Sequence, residues 1–191
     1  MEQADALALM VAGPACRAAE ASDRVPDRPG YYAIFVDDAL SLPDPYRDIL
    51  RARGTRLIYI GIATKSLRER LVEQDLRHRS PATFFRAIGP ILGYRPAKGS
   101  LVGRSNQNNY RFIATDTAAI IRWIDGHLSV NWSVAEPAME STETALIQAH
   151  RPLLNTEKSP EPLTALASLR DECRRIARED PTACTPESPN A

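Results

Sequence analysis

Along the chain, short runs of branched and aromatic residues alternate with segments in which apolar side chains return every three or four positions. Gly30 opens the run Tyr-Tyr-Ala-Ile-Phe-Val, which ends at Asp37-Asp38 and has the composition and length of a buried strand. Leu57-Ile-Tyr-Ile-Gly61 predicts a second strand, stopped by glycine, and the roughly 20 residues between the two runs allow antiparallel pairing. Ser66-Leu-Arg-Glu69 spells a capping box, so a helix is expected to start there, run to about Arg79 and end before Pro81. At about 100° per residue, Leu67, Leu71, Val72 and Leu76 spread over about half its circumference, with Arg70 just outside that arc. Further on, 82–92 reads as helix, 93–107 as a basic loop, 109–114 as a strand, 117–126 as helix and 128–134 as a strand. A last core helix is expected from Ser141 or Thr142 through Glu143, Leu146 and Ile147 to just before Pro152. Residues 1–28 mix alanine and acids with Pro14 and Pro26, which predicts an appendage with one short helix near 6–11. Beyond Asn155, a linker with Pro160 and Pro162 leads to an amphipathic helix over 163–179 and a polar tail.

With 191 residues, 43% apolar and 25% charged, the chain suits one domain with short appendages, and a collagen, a mucin and a disulfide scaffold are excluded. Its apolar stretches are far shorter than the roughly 20 residues needed to span a bilayer, and 6–13 follows Glu2 and Asp5 rather than a basic region. A cytoplasmic protein without membrane contact is expected, and its alanine and arginine richness suggests a bacterium. Cys16, Cys173 and Cys184 show neither zinc-ligand spacing nor a disulfide framework. The 24 basic and 24 acidic residues balance, but the balance hides a polarity. Between Arg51 and Arg111 stand 13 Lys and Arg against Glu69, Glu73 and Asp75, a net of +10. Such a block suits a polyanion, with Lys65, Arg68, Arg77, Arg86, Lys98 and Arg104 as candidate nucleic-acid contacts.

Alternation places Tyr32, Ile34 and Val36 on one face of the first strand, and Leu57, Tyr59 and Gly61 on one face of the second. The two tyrosines can then stand side by side. Two phenols, an arginine from the following helix and a later helical carboxylate form a coherent set for phosphodiester hydrolysis. That reaction needs a deprotonated water, neutralised charge on phosphorus and a stabilised leaving oxygen.

The ordered motifs Gly30-Tyr31-Tyr32, Tyr59-Ile60-Gly61, Leu67-x-x-Arg70-Leu71 and Glu143-x-x-Leu146-Ile147-(x)4-Pro152-x-x-Asn155 resemble those of the GIY-YIG nucleases. The resemblance covers about 29–156. It implies a small mixed α/β domain with a central antiparallel three-stranded sheet flanked by helices, an insertion at about 81–135, and extra terminal helices in 1–28 and 157–191. It also implies DNA cleavage with one divalent metal, Mg²⁺ or Mn²⁺. By this resemblance Tyr32 is the phenol near the attacking water, a candidate general base, and Tyr59 bonds water or phosphate. Arg70 binds the phosphate, Glu143 ligates the metal and Asn155 braces the site. A phenol with an ordinary pKa near 10 is a poor base, so its surroundings must assist it.

The chain departs from the family pattern at several points. Tyr31 stands where an aliphatic residue is usual, which leaves Tyr31 and Tyr32 as alternatives, with the Gly-x-Tyr spacing favouring Tyr32. Gln74 occupies a position where some members carry histidine, and His78 is displaced from Arg70 by about 80° at about 100° per residue. His78 is a catalytic candidate only if the helix bends. Arg68 rivals Arg70, and only the motif match separates them. The alternatives to cleavage are a domain that grips nucleic acid through the basic segment without cutting, and a protein-interaction module. Cleavage specificity, oligomeric state and a restriction, repair or mobile-element role are not legible.

Overall fold

The computed structural model describes residues 3–180. Four strands, β1 (Cys16–Arg17), β2 (Gly30–Val36), β3 (Leu57–Ala63) and β4 (Leu128–Val134), form one antiparallel sheet in the order β1-β4-β2-β3. The α-helices are α1 (Gln3–Ala12), α2 (Ala21–Arg24), α3 (Tyr46–Arg53), α4 (Thr83–Ile91), α5 (Ala114–His127), α6 (Glu140–His150) and α7 (Thr164–Arg178). Between β3 and α4 runs a π-helix, Arg68–Leu76.

The sheet thus has four strands where three are expected. The fourth comes from the N-terminal segment, whose Cys16 pairs with Val130. That segment also buries Met10, Ala18, Ala21 and Val25, so it packs as part of the domain and not as an appendage. Helix α7, likewise expected to lie outside the domain, buries Leu166, Cys173 and Ala177 in the main core and packs on α4. The stretch 109–114 is not a strand. Tyr110 and Phe112 do alternate inward, but Tyr110 Oη donates to the Arg86 carbonyl of α4 at 2.7 Å, and no sheet edge lies alongside.

Strand β2 is central, paired on both edges and covered on both faces, and all seven of its residues are buried. Such a strand reads as a continuous apolar run, which is why it is so clear in the sequence. Tyr32, Ile34 and Val36 face the larger core with Leu71, Phe84 and Ile120. Tyr31, Ala33 and Phe35 face a smaller one with Met10 and Ile147. A β-bulge between Ile34 and Phe35 opposes Ile34 to Tyr59 but Phe35 to Leu57. The extra residue reverses the strand's phase. Leu57 therefore lies on the face opposite Tyr59, and Ile58 takes the place expected for it in the larger core.

Candidate active site

Tyr32 and Tyr59 stand on the same face of adjacent strands, with ring centroids 6.3 Å apart. Tyr32 pairs with Gly61, and its ring lies directly over that glycine: a Cβ at 61 would sit 2.3 Å from both Cζ and Oη of Tyr32. Glycine here is a steric requirement of the neighbouring phenol. Tyr31 points to the opposite face, where its hydroxyl accepts from the Met139 amide at 2.6 Å. Of the two tyrosines, Tyr32 is the one on the face of Tyr59.

The hydroxyl of Tyr32 donates to Oδ2 of Asp75, a fully buried carboxylate. Arg70 Nη1 donates to the other oxygen, Oδ1, at 3.2 Å and to Gln74 Oε1 at 3.1 Å. The π-helix makes this triad possible. Five residues advance about 140° beyond a full turn of an α-helix, so residues i and i+5 diverge, whereas π geometry bonds i to i+5 and stacks them. Arg70 over Asp75 and Glu69 beside Gln74 are both i, i+5 pairs, and the Arg77 amide reaches the Val72 carbonyl at 3.0 Å. Of the expected capping box only half forms, with Ser66 Oγ accepting from the Glu69 amide at 3.0 Å.

Burial raises the pKa of Asp75, opposed by Arg70 and the Tyr32 hydrogen bond. Burial also pushes Tyr32 well above the usual phenol range, and the Asp75 charge adds to the effect. Tyr59 is raised too, by burial first and Asp75 second. Burial works against the Arg70 charge, but Tyr32, Asp75, Tyr59 and Glu143 outweigh it and hold the guanidinium firmly protonated. Its side chain keeps 28% exposure, enough to meet a ligand.

Glu143 lies in the first turn of α6 and lines a cleft of about 100 Å³ with Tyr59, Thr83, Asn155, Glu157 and Lys158. Its Oε2 accepts from Lys158 Nζ at 2.6 Å. Asn155 brackets the backbone of Ile60, accepting from its amide at 3.0 Å and donating to its carbonyl at 2.9 Å. This pins β3 immediately beside Tyr59. Among the described residues no three His, Cys, Asp or Glu side chains form a cluster that could hold a metal, and the carboxylates lining the cleft are Glu143 and Glu157.

The remaining sequence candidates scatter. Lys65 and Arg68 are exposed near the start of the π-helix, so the structure brings Arg70 into the site and leaves Arg68 out. Arg77 pairs with Asp125 at 2.8 Å, Lys98 pairs with Glu179 at 3.0 Å, and Arg104 Nε donates to the Ser100 carbonyl at 2.8 Å. Among the described residues, Arg77, Arg95 and Lys98 are thus paired with acids from outside the segment, and the rest of its net charge is not. Arg86 is different, for it lines a cavity adjoining the cleft. His78 lies beyond the π-helix at φ 52°, stacked on Phe85 with centroids 4.2 Å apart, and lines a separate cavity with Arg79 and Arg111. It does not meet Glu143.

Asp75 and Lys158 are the residues that sequence reasoning missed. Asp75 had a signal: it falls four positions after Leu71 and three after Val72, on the apolar side of any helix. Lys158 had none, since it reaches Glu143 only because a left-handed residue, φ 66°, turns the chain after Asn155.

A family model of the GIY-YIG catalytic domain matches residues 30–174. The chain belongs to the GIY-YIG family. Domains of this family are generally endonucleases, so the function is of nuclease type. The GIY-YIG match continues past Asn155 into α7, in keeping with the burial of that helix. No match emerges among curated proteins or among solved structures. Among the described residues no helix is long and apolar enough to cross a membrane.

Proposed function

We propose that this GIY-YIG protein is a divalent-metal-dependent endonuclease that hydrolyses DNA phosphodiester bonds. The observation that carries the reading is the placement of Tyr59, which lines the cleft of Glu143 and packs beside Tyr32, whose hydroxyl is bonded to the Asp75 that Arg70 also holds.

Glu143, with Glu157 at the rim of the same cleft, would hold Mg²⁺ or Mn²⁺. The donors fit: a hard carboxylate already draws a cation, the Lys158 ammonium, and Mg²⁺ is commonly bound by one or two carboxylates with water completing its shell. When bound, the ion supplies Lewis-acid polarisation of the phosphoryl group and lowers the pKa of coordinated water. The other roles belong to the chain itself. Arg70 stabilises charge gathering on the phosphoryl oxygens, and the Tyr59 hydroxyl donates to the phosphate. Tyr32 overcomes the weakness of a phenol as base by relay: it receives the proton of the attacking water while passing its own to Asp75. Burial makes Asp75 a better acceptor than an ordinary carboxylate.

Incubation of wild type and Glu143→Ala with supercoiled plasmid in Mg²⁺, Mn²⁺ or EDTA tests the reading. Nicking by wild type only, and only with metal, is expected. Undiminished cleavage by Glu143→Ala would overturn it.

A further inference from the structure

Beside the cleft that holds Glu143 lies a second cavity, of about 120 Å³, sharing Thr83 and Glu157 with it. Three arginines line it against one carboxylate, Glu157. Arg86 of α4 enters from one side, and Arg170 and Arg174 of α7 from the other. Arg174 has a carboxylate partner, Asp171, on its own helix. Among the described residues neither Arg86 nor Arg170 makes a salt bridge: Arg86 donates to the Asn109 amide oxygen and Arg170 Nη1 to Thr156 Oγ1 at 2.6 Å.

Arg170 Nη2 is buried and without a hydrogen-bond partner. A buried guanidinium nitrogen left without an acceptor forfeits its solvation with no return. The same strain shows in the charge itself. Burial is the main cause that depresses the pKa of Arg170 and of Arg86; Arg174 and Arg170 respectively add to it, against opposing contributions from Tyr110 and Tyr59 on both, from Glu157 on Arg170 and from Asp75 on Arg86. An anion with several acceptor oxygens would satisfy the orphan donor and offset the repulsion, and guanidinium forks suit phosphate in particular.

We propose that Arg86, Arg170 and Arg174 form a second phosphate subsite, which takes the backbone phosphate of the nucleotide next to the scissile one. The inference rests on the reading of the adjoining cleft as a nuclease site. Contiguity of the two cavities through Thr83 and Glu157 is what makes the occupant a phosphate of the same strand. Such a contact positions the strand without reading its sequence. It also assigns work to α7, whose Leu166, Cys173 and Ala177 fix the helix in the core while Arg170 and Arg174 face the cavity.

The test uses the full chain, in wild-type form and as Arg170→Gln and Arg174→Gln, with melting curves to show that each is folded. Binding in EDTA is measured with duplexes carrying one uncharged methylphosphonate at successive positions around the cut, and plasmid nicking is followed in parallel. Wild type is expected to lose about tenfold in affinity at one flanking position. The variants should be insensitive at that position, with a salt slope of log K lower by about one. Should Arg170→Gln fail to fold, Arg174→Gln carries the test alone. Variants with a wild-type methylphosphonate profile, alongside normal wild-type nicking, overturn the subsite and leave the nuclease reading standing. Wild type that neither binds nor nicks DNA overturns both. If inorganic phosphate raises the melting temperature of wild type but not of Arg170→Gln, and no methylphosphonate position matters, the site takes a free anion and the backbone proposal falls.

Discussion

The hydroxyl of Tyr32 is hydrogen-bonded to the buried carboxylate of Asp75, a contact that links the central strand to the π-helix. A phenol so held cannot donate elsewhere, and its free lone pair is left to receive a proton. Tyr32→Phe and Asp75→Asn are each expected to lower the rate of plasmid nicking by about 10² to 10³. The double variant should be little worse than either single one, because the two act as one relay. Because burial already disfavours the Asp75 charge, its amide isostere should leave the melting temperature within a few degrees of wild type. Additive losses would show that the two side chains work separately.

Gly61→Ala tests the packing that sets this phenol in place. The added methyl would stand 2.3 Å from Tyr32 Oη, so the ring must swing out of its bond to Asp75 or the strands must part. Overpacking of this kind costs about 1–3 kcal/mol. A fall in melting temperature of about 5 °C is expected, with nicking reduced as far as in Tyr32→Phe. Retained nicking with a lowered melting temperature would separate the steric role of Gly61 from the placement of Tyr32.

The sequence was most legible where the physics is local. Strands β2 and β4 and the start of β3 are marked by branched and aromatic runs. Tyr32, Tyr59, Arg70 and Glu143 stand in ordered motifs at strand and helix positions, and Asn155 follows in the loop after α6. What escaped depends on departures from ideal periods. The bulge at Ile58 inverts the face of Leu57, and an alternation argument assumes no such insertion. The π-helix brings Arg70 onto Asp75, whereas a reading at 100° per residue separates them. Long-range packing was equally invisible. Nothing local in Cys16-Arg17 says that it will pair with β4, and the stripe on α7 could as well have met a partner protein as its own core. The partners of Arg77, Arg95 and Lys98 were illegible for the same reason, since the acids Asp125, Glu172 and Glu179 lie far away in the chain.

On the proposed reading, Lys158 and a metal ion would compete for Glu143. The ammonium donates to Oε2 at 2.6 Å, with the lysine side chain 32% exposed and the glutamate 10%. A metal entering on that oxygen must displace it. A partly exposed pair of this kind is worth up to about 1 kcal/mol, so Lys158→Met should lower the half-saturating Mg²⁺ concentration for nicking by about fivefold. Titration of nicking rate against Mg²⁺ in the two proteins checks this. An unchanged or higher requirement would mean that Lys158 assists the reaction instead of opposing the ion. EDTA should abolish nicking in both.

His78 is expected to give the fold a pH dependence of its own, apart from nicking. Burial against Phe85, with Arg86 and Arg111 nearby, pushes its pKa down to about 4 from the ordinary value of about 6.5. The folded ring stays neutral where the unfolded one takes up a proton. Stability from this residue is therefore fully present above about pH 6.5 and is lost as pH falls toward 4. The melting temperature of wild type is expected to drop between pH 7 and pH 5. His78→Asn removes the titrating ring, and asparagine tolerates the left-handed backbone at this position, φ 52°. The variant should melt lower at pH 7, through loss of the stack on Phe85, yet fall less on acidification. Its nicking activity at pH 7 should match wild type, because the ring lies outside the cleft of Glu143. An equal acid-induced drop in both proteins would assign the pH dependence to other groups, and a loss of nicking in the folded variant would return His78 to the reaction.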